Sequence, residues 1–543
     1  MRPETADHRP ACLLPRGQVE AKDVHGETAQ ADIIRLLSDP STHGTDTVQR
    51  IDTHASMVFL AGTKALKLKR AVKYDYLDYS TADLRHRCCE RELLINGRIA
   101  PALYRRVIPV TRTRSGAVAL DGEGLPVDWV IEMTRFDQEA LFDRTVAAGR
   151  LEEALMAPLA EEIALFHGSS AVRDDYGGDA AIARVIDGNA AGFRQFGPGC
   201  LSTAACDSWT VSARDNLHRH TPLLEHRRRA GCVRECHGDL HLGNIVLVEG
   251  RPTLFDAIEF NDDIACIDVM YDLAFLLMDL WYRSLPQHAN TLLNTYLSNT
   301  HDFDSLAALP LFMSCRAAIR AKTSATAAAL QATEEGRRIL QTRAREYLDL
   351  ATRLLDRPAP AMVVIGGLSG TGKSTIARAI APAVGAAPGA VVLRSDEVRK
   401  RLWGAPALIR LGPEAYTPEI SARVYDALAA DVTTVVESGH SVVVDAVFAR
   451  PEDRLAIERV ARMTGVPFAA VWLNAPETVL LERITKRGPD ASDADADVVR
   501  MQCAQWADDV WWTHVDAVGD PAAVETRVRA QLHSQIVALN VAA

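Results

Sequence analysis

The sequence lacks the features that mark several large classes of protein. No uncharged apolar stretch reaches about 18 residues, so no membrane-spanning helix is expected. The first 22 residues include basic side chains but no apolar run after them, so a secretory signal peptide is not expected. The basic excess of a general nucleic-acid binder is also missing, because the net charge is −11 at pH 7.

Cysteine is present without a regular pattern. The ten cysteines have no repeating spacing, and Cys88 and Cys89 are adjacent, which favours free thiols in a reducing cytoplasm over a disulfide framework. Cys232, Cys236 and His237 could be metal ligands, but no second Cys/His pair follows them. We therefore expect a cytoplasmic protein.

A change of pattern divides the chain into domains. With 543 residues it exceeds one ordinary core. Residues 1–30 are polar and predict a disordered tail, and residues 31–355 predict a β-rich lobe with one helix followed by mostly helical sequence. The prolines of residues 356–361 predict a linker. Residues 362–543 alternate strand and helix, which is typical of a parallel sheet covered on both faces.

The first chemical motif is HGDLHLGN at residues 237–244. An Asp followed five residues later by an Asn, behind His-Gly, is the catalytic-loop spacing of a protein-kinase-like phosphotransferase. Asp239 can accept a proton from an attacking hydroxyl, and Asn244 can offer its amide oxygen to Mg²⁺. Asp256 follows at the end of the next predicted strand.

Phosphoryl transfer in such a site also needs a lysine that contacts the ATP phosphates. Lys67 is the candidate, because it ends an Ala-Leu-Lys sequence that matches the third kinase strand. Lys64 and Lys69 are rivals, and Lys69 shares the face of Lys67 on a strand. Glu92 is the expected helix partner of the lysine, with Glu90 second.

These motifs resemble those of the aminoglycoside phosphotransferase family, a branch of the protein-kinase-like fold, from about Thr53 to Asp279. The resemblance implies a bilobal domain with Asp239 as catalytic base and Asn244 as a metal ligand. It gives Asp256 the role of the metal-binding Asp in the kinase Asp-Phe-Gly motif, although no Phe-Gly follows it here.

Two further parts of that resemblance concern supporting residues. Asp268 and Asp272 resemble a Gly-Asp-Pro-x-x-Asp-Leu-Ala segment that lacks its Gly and Pro here, and we interpret them as supports of the catalytic loop. In the family fold the later helices can line the acceptor site, where Arg316 and Arg320 lie one helical turn apart. A solvated basic helix face is the alternative for these arginines.

A second, unrelated phosphate motif is GLSGTGKS at residues 367–374. It follows an apolar strand and opens a helix, the context that a phosphate-binding loop (P-loop) requires. Lys373 would bind the β- and γ-phosphates and Ser374 would bind Mg²⁺, while the helix N-terminus adds partial positive charge. The predicted nucleotide-binding residues of this loop are Gly367, Leu368, Ser369, Gly370, Thr371, Gly372, Lys373, Ser374 and Thr375.

The sequence after the P-loop resembles small-molecule and zeta-toxin-like kinases. A Ser-Asp-x-x-Arg segment implies that Asp396 orients the acceptor hydroxyl and Arg399 holds the substrate. Asp445 ends an apolar strand, like a Walker-B carboxylate that supports Mg²⁺. Arg483 and Arg487 resemble lid arginines that stabilise the transferring phosphoryl group. A helix N-cap for Asp396 and surface charge for the two arginines are the alternatives.

More narrowly, nearly everything beyond the first 30 residues resembles a bifunctional family that fuses an aminoglycoside phosphotransferase-like domain to a P-loop kinase domain. The sequences THAS at 53–56, KLKR at 67–70 and LDYST at 77–81 carry this resemblance. It implies an α+β kinase-like bilobal domain followed by an α/β P-loop domain with a parallel sheet.

The resemblance also implies ATP and Mg²⁺ as cofactors and transfer of the γ-phosphoryl group to a hydroxyl of a small molecule. Two enzymes are favoured by intact Asp239 and Asp396. The alternative is that one half is an ATP-binding regulatory switch that controls the other. The acidic charge disfavours a nucleic-acid acceptor, and the absence of a ring-forming second region disfavours a mechanical AAA motor. The sequence leaves the identity of the acceptor open.

Overall fold

The computed structural model describes residues 24–74, 76–488, 490–505 and 510–535. Its contacts divide the chain into two compact units. Unit 1 contains the described residues up to Asp279 together with Leu311–Thr352, and unit 2 contains Leu280–Pro310 together with the described residues from Arg353 onward. The sequence predicted a single boundary at 356–361, which would place Leu280–Pro310 in the first domain, whereas the structure places this segment in unit 2. A helical sequence pattern does not show which unit a helix packs against.

Unit 1 begins with a sheet of six antiparallel strands in the order β1-β2-β3-β8-β6-β7 and a separate hairpin of β4 and β5. The elements are α1 (Val24–Ser38), α2 (Pro40–His43), β1 (Val48–Asp52), β2 (Ser56–Ala61), β3 (Lys64–Lys69), β4 (Lys73–Tyr74), β5 (Leu77–Asp78), α3 (Ala82–Ile99), β6 (Tyr104–Arg112), β7 (Val118–Leu120) and β8 (Leu125–Thr134). The sheet has apolar cores on both faces. Of the predicted tail, residues 1–23 lie outside the described residues, and α1 already begins at Val24.

Helix α3 brings Glu92 beside the sheet, and its ends have local causes. Thr81 caps the helix by accepting a hydrogen bond from the N–H of Leu84 at 3.2 Å. At the other end Pro101 follows Ala100, and a proline disfavours helical backbone at the residue that precedes it.

The rest of unit 1 is mostly helical. Its elements, with those of the following segment, are α4 (Phe142–Ala147), α5 (Met156–Ser169), α6 (Gly178–Phe196), α7 (Thr203–Arg229), β9 (Val233–Glu235), β10 (Ile245–Val248), β11 (Arg251–Leu254), α8 (Asp262–Ala265), β12 (Cys266–Asp268), α9 (Val269–Tyr282), α10 (Pro286–Thr300), α11 (Leu309–Leu330) and α12 (Glu334–Leu355). The predicted strand that ended at Asp256 ends two residues earlier, at Leu254. No helix in the described part of the chain is long and apolar enough to cross a bilayer.

Unit 2 is an α/β fold whose five strands are all parallel, in the order β14-β15-β13-β16-β17, as the sequence pattern predicts. Its remaining elements are β13 (Met362–Gly367), α13 (Lys373–Ile380), β14 (Val391–Arg394), α14 (Ser395–Leu402), α15 (Pro418–Glu437), β15 (Val442–Asp445), α16 (Pro451–Thr464), β16 (Phe468–Asn474), α17 (Glu477–Lys486), α18 (Ala496–Gln505), β17 (Thr513–Asp516) and α19 (Pro521–Gln535). Apolar residues of the central strands form the buried core.

Helix α10 covers the edge of this sheet at β14. The side-chain amide of Asn294 accepts from the N–H of Val392 at 2.6 Å and donates to the carbonyl of Ala390 at 3.2 Å. Asn290, one turn earlier, donates to the carbonyls of Pro388 and Ala390 at 3.1 and 3.0 Å. These side chains satisfy backbone groups that an edge strand otherwise leaves unpaired.

Candidate nucleotide-binding sites

In unit 1, Lys67 occupies the position expected of the phosphate-binding lysine. Its Nζ lies 2.7 Å from Glu92 Oε1 and also contacts the carboxylate of Asp256. Burial alone would lower the pKa of Lys67, but Asp256 and Glu92 raise it well above its ordinary value. Lys64 is exposed and pairs instead with Glu132 at 2.8 Å. Of these two lysines, the placement favours Lys67.

Lys69 also contacts Glu92 but is enclosed. Its Nζ lies 2.6 Å from Glu92 Oε2, contacts the carboxylate of Glu259 and donates to the hydroxyl of Tyr79 at 3.2 Å. Burial would raise the pKa of Glu92, but Lys67 and Lys69 lower it to about 2. Because Lys69 is only 1% exposed, its position suits a support for Glu92 rather than a ligand contact.

The catalytic-loop motif forms a closed set of contacts. Asn244 Nδ2 donates to the backbone oxygen and to Oδ2 of Asp239, at 2.9 and 3.0 Å. His241 Nε2 lies 3.4 Å from the same carboxylate. Burial raises the pKa of Asp239, but the charges of His241, His237 and Arg320 outweigh it and lower the pKa. Asp239 is therefore ionised, and the amide oxygen of Asn244 is the ligand atom that this residue can offer to a cation.

Two buried side chains that lie 3.9 Å apart hold this loop. Asp272 accepts hydrogen bonds from the N–H groups of His237 and Gly238 at 3.0 and 2.9 Å. Arg316 donates to the carbonyl of Gly238 at 3.2 Å. The interpretation of Asp272 as a loop support agrees with this geometry. Arg316 is 4% exposed, so the solvated basic face is wrong for this residue.

Asp268 and the residues around Asp272 are likewise structural. Arg227 pairs with Asp268 through two hydrogen bonds of 2.8 Å. His167, Cys236 and Asp272 lie close enough together for a metal ion. However, Asp272 already accepts two backbone N–H groups and contacts His167 Nε2 at 3.2 Å, which accounts for the cluster without a metal.

Asp256 lies beside the catalytic loop in strained backbone. Its φ is +63°, which side-chain-bearing residues rarely adopt, and its N–H donates to the Tyr104 hydroxyl at 3.2 Å. His54, in the turn between β1 and β2, was missed as a candidate. Burial lowers the pKa of His54, while the charges of Asp239 and Asp256 oppose that shift, so this imidazole faces both predicted carboxylates.

In unit 2, the P-loop connects β13 to α13 as the motif predicts. Gly370 has φ +87°, and a Cβ there would lie 2.8 Å from the carbonyl of Leu480, so only glycine fits. Lys373 Nζ donates to the carbonyl of Leu368 at 3.1 Å. Burial lowers the pKa of Lys373, although Asp445 and Asp396 partly offset it. No carboxylate among the described residues forms an ion pair with Lys373.

The predicted Mg²⁺ ligands of unit 2 are in contact with each other. Ser374 Oγ donates to Asp445 Oδ2 at 2.5 Å. Arg394, which was not predicted as a site residue, donates to both, at 3.0 Å to Ser374 Oγ and at 3.2 Å to Asp445 Oδ2. The available signal was its position at the end of β14, directly before the Ser-Asp-x-x-Arg segment.

A cavity of about 1090 Å³ extends from the P-loop and is lined by Asp396 and Arg399. Burial raises the pKa of Asp396. Arg399 is buried, donates to the carbonyl of Ala415 at 2.5 Å and lies over the ring of Tyr416 at 4.7 Å. Among the described residues, no carboxylate forms an ion pair with this guanidinium.

The two predicted lid arginines also line that cavity. Arg483 donates to the P-loop carbonyl of Thr371 at 3.2 Å. Arg487 donates to the carbonyls of Ser492 and Ala494 at 3.0 and 2.6 Å. Arg483 therefore contacts the P-loop directly, whereas Arg487 is exposed, and the lid role of both arginines stays a prediction.

Asp493 is a second residue that the sequence did not single out for chemistry. Its carboxylate accepts from Lys400 Nζ at 2.7 Å, from the N–H of Leu411 at 2.9 Å and from the Tyr416 hydroxyl. These contacts join the segment after α17 to the loop between α14 and α15. Asp493 thereby connects two parts of the cavity lining, since Leu411 and Tyr416 also line the cavity.

Comparison with known proteins supports the P-loop assignment. A family profile described as an AAA domain matches residues 362–508. The match shows a P-loop domain in the second half, as predicted; the choice of a small-molecule kinase over an AAA motor stays a prediction. The chain is also 29% identical over 134 residues to adenylyl-sulfate kinase of Myxococcus xanthus, which covers 24% of this chain and 67% of that enzyme.

The chain is similar over most of its length to a protein that is described only as uncharacterized. Rv2004c of Mycobacterium tuberculosis is 29% identical over 479 residues, covering 86% of this chain and 92% of that protein. A solved choline/ethanolamine kinase family protein from Mesorhizobium loti covers 60% of this chain and 98% of its own, at 13% identity and a TM-score of 0.36. At that score the likeness is too distant to carry a functional conclusion.

Proposed function

We propose that the protein is a cytoplasmic phosphotransferase with two MgATP sites, each transferring the γ-phosphoryl group to a hydroxyl of a small molecule. The observation that carries the proposal is that each unit brings a lysine close to a carboxylate of its proposed metal site: Lys67 contacts Asp256, and Asp445 acts on the charge of Lys373. Phosphoryl transfer depends mainly on positioning and on neutralising charge, and these groups supply both.

In unit 1, Lys67 contacts the phosphates and Glu92 fixes its side chain. Asn244 and Asp256 hold Mg²⁺, which when bound neutralises phosphate charge. Asp239 receives the acceptor hydroxyl. Its lowered pKa makes it a weak base, so it orients the hydroxyl and takes the proton late, as a loose transition state allows.

In unit 2, Lys373 contacts the β- and γ-phosphates, and Ser374 with Asp445 holds the metal. These are hard oxygen donors, which Mg²⁺ prefers. Asp396 is a stronger base than Asp239, because burial raises its pKa. Arg483 and Arg487 stabilise charge on the transferring group.

Arg399 indicates what charge the acceptor of unit 2 carries. A buried guanidinium without a carboxylate partner is costly, and an anionic ligand would compensate it. We therefore favour an acceptor that carries an anionic group as well as a hydroxyl. The stacked Tyr416 ring adds an apolar surface beside that charge.

The test is a screen for ADP release with sugars, sugar acids, nucleosides and aminoglycosides. It uses the wild type, Asp239→Asn, Asp396→Asn and the double variant. An acceptor of one half should lose turnover with one single variant only. If no acceptor raises ADP release above the double variant, the two-enzyme proposal fails. If Asp396→Asn abolishes turnover that depends on Asp239, the regulatory-switch alternative replaces it.

A further inference from the structure

Arg394 lies at the centre of the metal-binding region proposed for unit 2. It is 3% exposed, and all three of its guanidinium nitrogens are engaged. Nη2 donates to Ser374 Oγ at 3.0 Å and Nε donates to Asp445 Oδ2 at 3.2 Å. Nη2 also donates to Asp490 Oδ1 at 2.7 Å, and Nη1 donates to Glu397 Oε1 at 3.0 Å. One side chain thus contacts both proposed metal ligands and two further carboxylates.

The contacts fix which atoms remain available. Ser374 Oγ gives its proton to Asp445 Oδ2 and receives one from Arg394, so the rotamers of both side chains are set. Asp445 Oδ2 accepts from two donors, whereas Oδ1 accepts no hydrogen bond from the part of the chain that the structure describes. A planar, rigid guanidinium imposes such an arrangement better than a lysine, whose ammonium is a point charge on a flexible stem.

The local charges leave room for a cation. Asp396, Glu397, Asp445 and Asp490 lie around this site, while Arg394 is the only arginine that touches more than one of them among the described residues. A guanidinium stays protonated in proteins, so Arg394 carries a positive charge here. It shares the compensation of these carboxylates with Lys373 and with the exposed Arg378, and the remaining acidic charge suits a divalent cation.

We propose that Arg394 is a positioning residue that presets Ser374 and Asp445 for the metal of the bound nucleotide and joins them to Asp490. This inference rests on the proposed function of unit 2. Asp490 precedes the segment whose Ser492 and Ala494 carbonyls accept from Arg487. Arg394 therefore links the metal ligands to the segment that carries the lid-arginine contacts.

The test measures how strongly Mg²⁺ improves nucleotide binding at the second site. Calorimetry with the non-hydrolysable analogue AMPPNP is run in excess Mg²⁺ and in EDTA on the full chain. The second site is identified as the one whose affinity Lys373→Met weakens. We expect Arg394→Gln to reduce the ratio of the two dissociation constants by about tenfold or more, while the affinity in EDTA changes little.

Arg378→Gln is the matched control. Arg378 lies 3.8 Å from the same Asp490 but is 55% exposed, and among the described residues its guanidinium forms no hydrogen bond or ion pair with Ser374 or Asp445. Its ratio should equal that of the wild type. A ratio unchanged in Arg394→Gln, or reduced equally in Arg378→Gln, would overturn the inference. So would a parallel loss of affinity in EDTA, which would show collapse of the loop rather than misplaced metal ligands.

Two outcomes separate this inference from the proposed function. If the wild type shows no second site at all, both are overturned. If it shows Mg²⁺-dependent binding that Arg394→Gln leaves intact, only the inference fails. Should circular dichroism show Arg394→Gln to be unfolded, Arg394→Lys answers the same question, since it keeps the charge and loses the planar fork; a wild-type ratio in that variant would overturn the inference.

Discussion

The two candidate sites hold their lysines in opposite electrostatic settings. In unit 1, Lys67 lies between the carboxylates of Glu92 and Asp256, which raise its pKa despite burial. In unit 2, Lys373 has no carboxylate partner among the described residues and donates to the carbonyl of Leu368, and burial lowers its pKa. The dense ion network of unit 2 surrounds Arg394 instead.

Under the proposed function, the difference would correspond to two ways of preparing a site for polyphosphate. Lys67 is already compensated, so a nucleotide in unit 1 would have to compete with Asp256 for it, and a bound metal would in turn compensate Asp256. Lys373 is desolvated without compensation, so the incoming phosphate relieves its burial directly. Unit 1 therefore gains stability from its lysine before a ligand arrives, whereas unit 2 keeps that interaction for the ligand.

The largest expected effect separates catalysis in the two units. Asp239→Asn should reduce turnover of an acceptor handled by unit 1 by about 10²- to 10⁴-fold, because the group that orients the hydroxyl and accepts its proton is lost. ATP affinity, measured by calorimetry, should change little. Asp263→Asn, an exposed carboxylate paired with Arg184, is the control. Near-normal turnover in Asp239→Asn would refute the assignment.

Nucleotide binding gives the next contrast. Lys373→Met should weaken the second AMPPNP site on the order of tenfold to a hundredfold, because a charge-assisted contact to the phosphates is lost. The first site should be spared, and adding Lys67→Met should remove it. Calorimetry of the single and double variants measures both. A single AMPPNP site in the wild type would contradict the proposal of one nucleotide site in each unit. Loss of both sites in Lys373→Met would favour the regulatory switch.

Removing the lysine should change the folding stability of the two units differently. Lys67→Met should lower the free energy of unfolding of unit 1 by about 1–2 kcal/mol, because buried Glu92 keeps only Lys69, while the loss at Asp256 is smaller since its carboxylate is 44% exposed. Lys373→Met should leave the stability of unit 2 unchanged or raise it, because it removes a desolvated charge. Urea unfolding without nucleotide checks both. Equal destabilisation by the two substitutions would show that the two settings are not different.

The segment Leu280–Pro310 offers a test of how the units are divided. Asn294→Ala should destabilise unit 2 by about 1–2 kcal/mol, because it unpairs the N–H of Val392 at the sheet edge. Asn299→Ala is the matched control on the same helix, since Asn299 donates only to Thr295 of that helix. Hydrogen exchange at Val392 should rise in the first variant and not in the second. Unchanged hydrogen exchange at Val392 in Asn294→Ala would show that α10 does not protect the edge of the sheet.

The smallest effect concerns acid sensitivity. Glu92 has a folded pKa of about 2, below its ordinary 4.5, so the stability it contributes is present above about pH 4.5 and is lost as the pH falls through 2. The difference in unfolding free energy between wild type and Glu92→Gln should therefore stay constant from pH 7 to 5 and narrow toward pH 3. Glu90→Gln, at an exposed position, should show no such narrowing. A difference independent of pH would mean that Glu92 acts by packing alone.

Local signals were enough to predict much of this protein. The bounds Ala82–Ile99 follow from the Thr81 cap and from Pro101, and the P-loop follows from glycines whose conformation other residues avoid. The parallel sheet of unit 2 follows from its alternating strands and helices. The catalytic-loop spacing brought Asp239 and Asn244 together because five residues span one tight turn.

Other features were decided only by the tertiary structure. A strand pattern places Lys67 and Lys69 on one face, but the approach of Asp256 to one and of Glu259 to the other distinguishes them. The roles of Arg394 and Asp493 were not predicted, because most of their partners, such as Asp445 for Arg394 and Lys400 for Asp493, lie many residues away. Local backbone preference and capping are encoded within a few neighbouring residues, whereas burial and charge compensation depend on which distant segments meet.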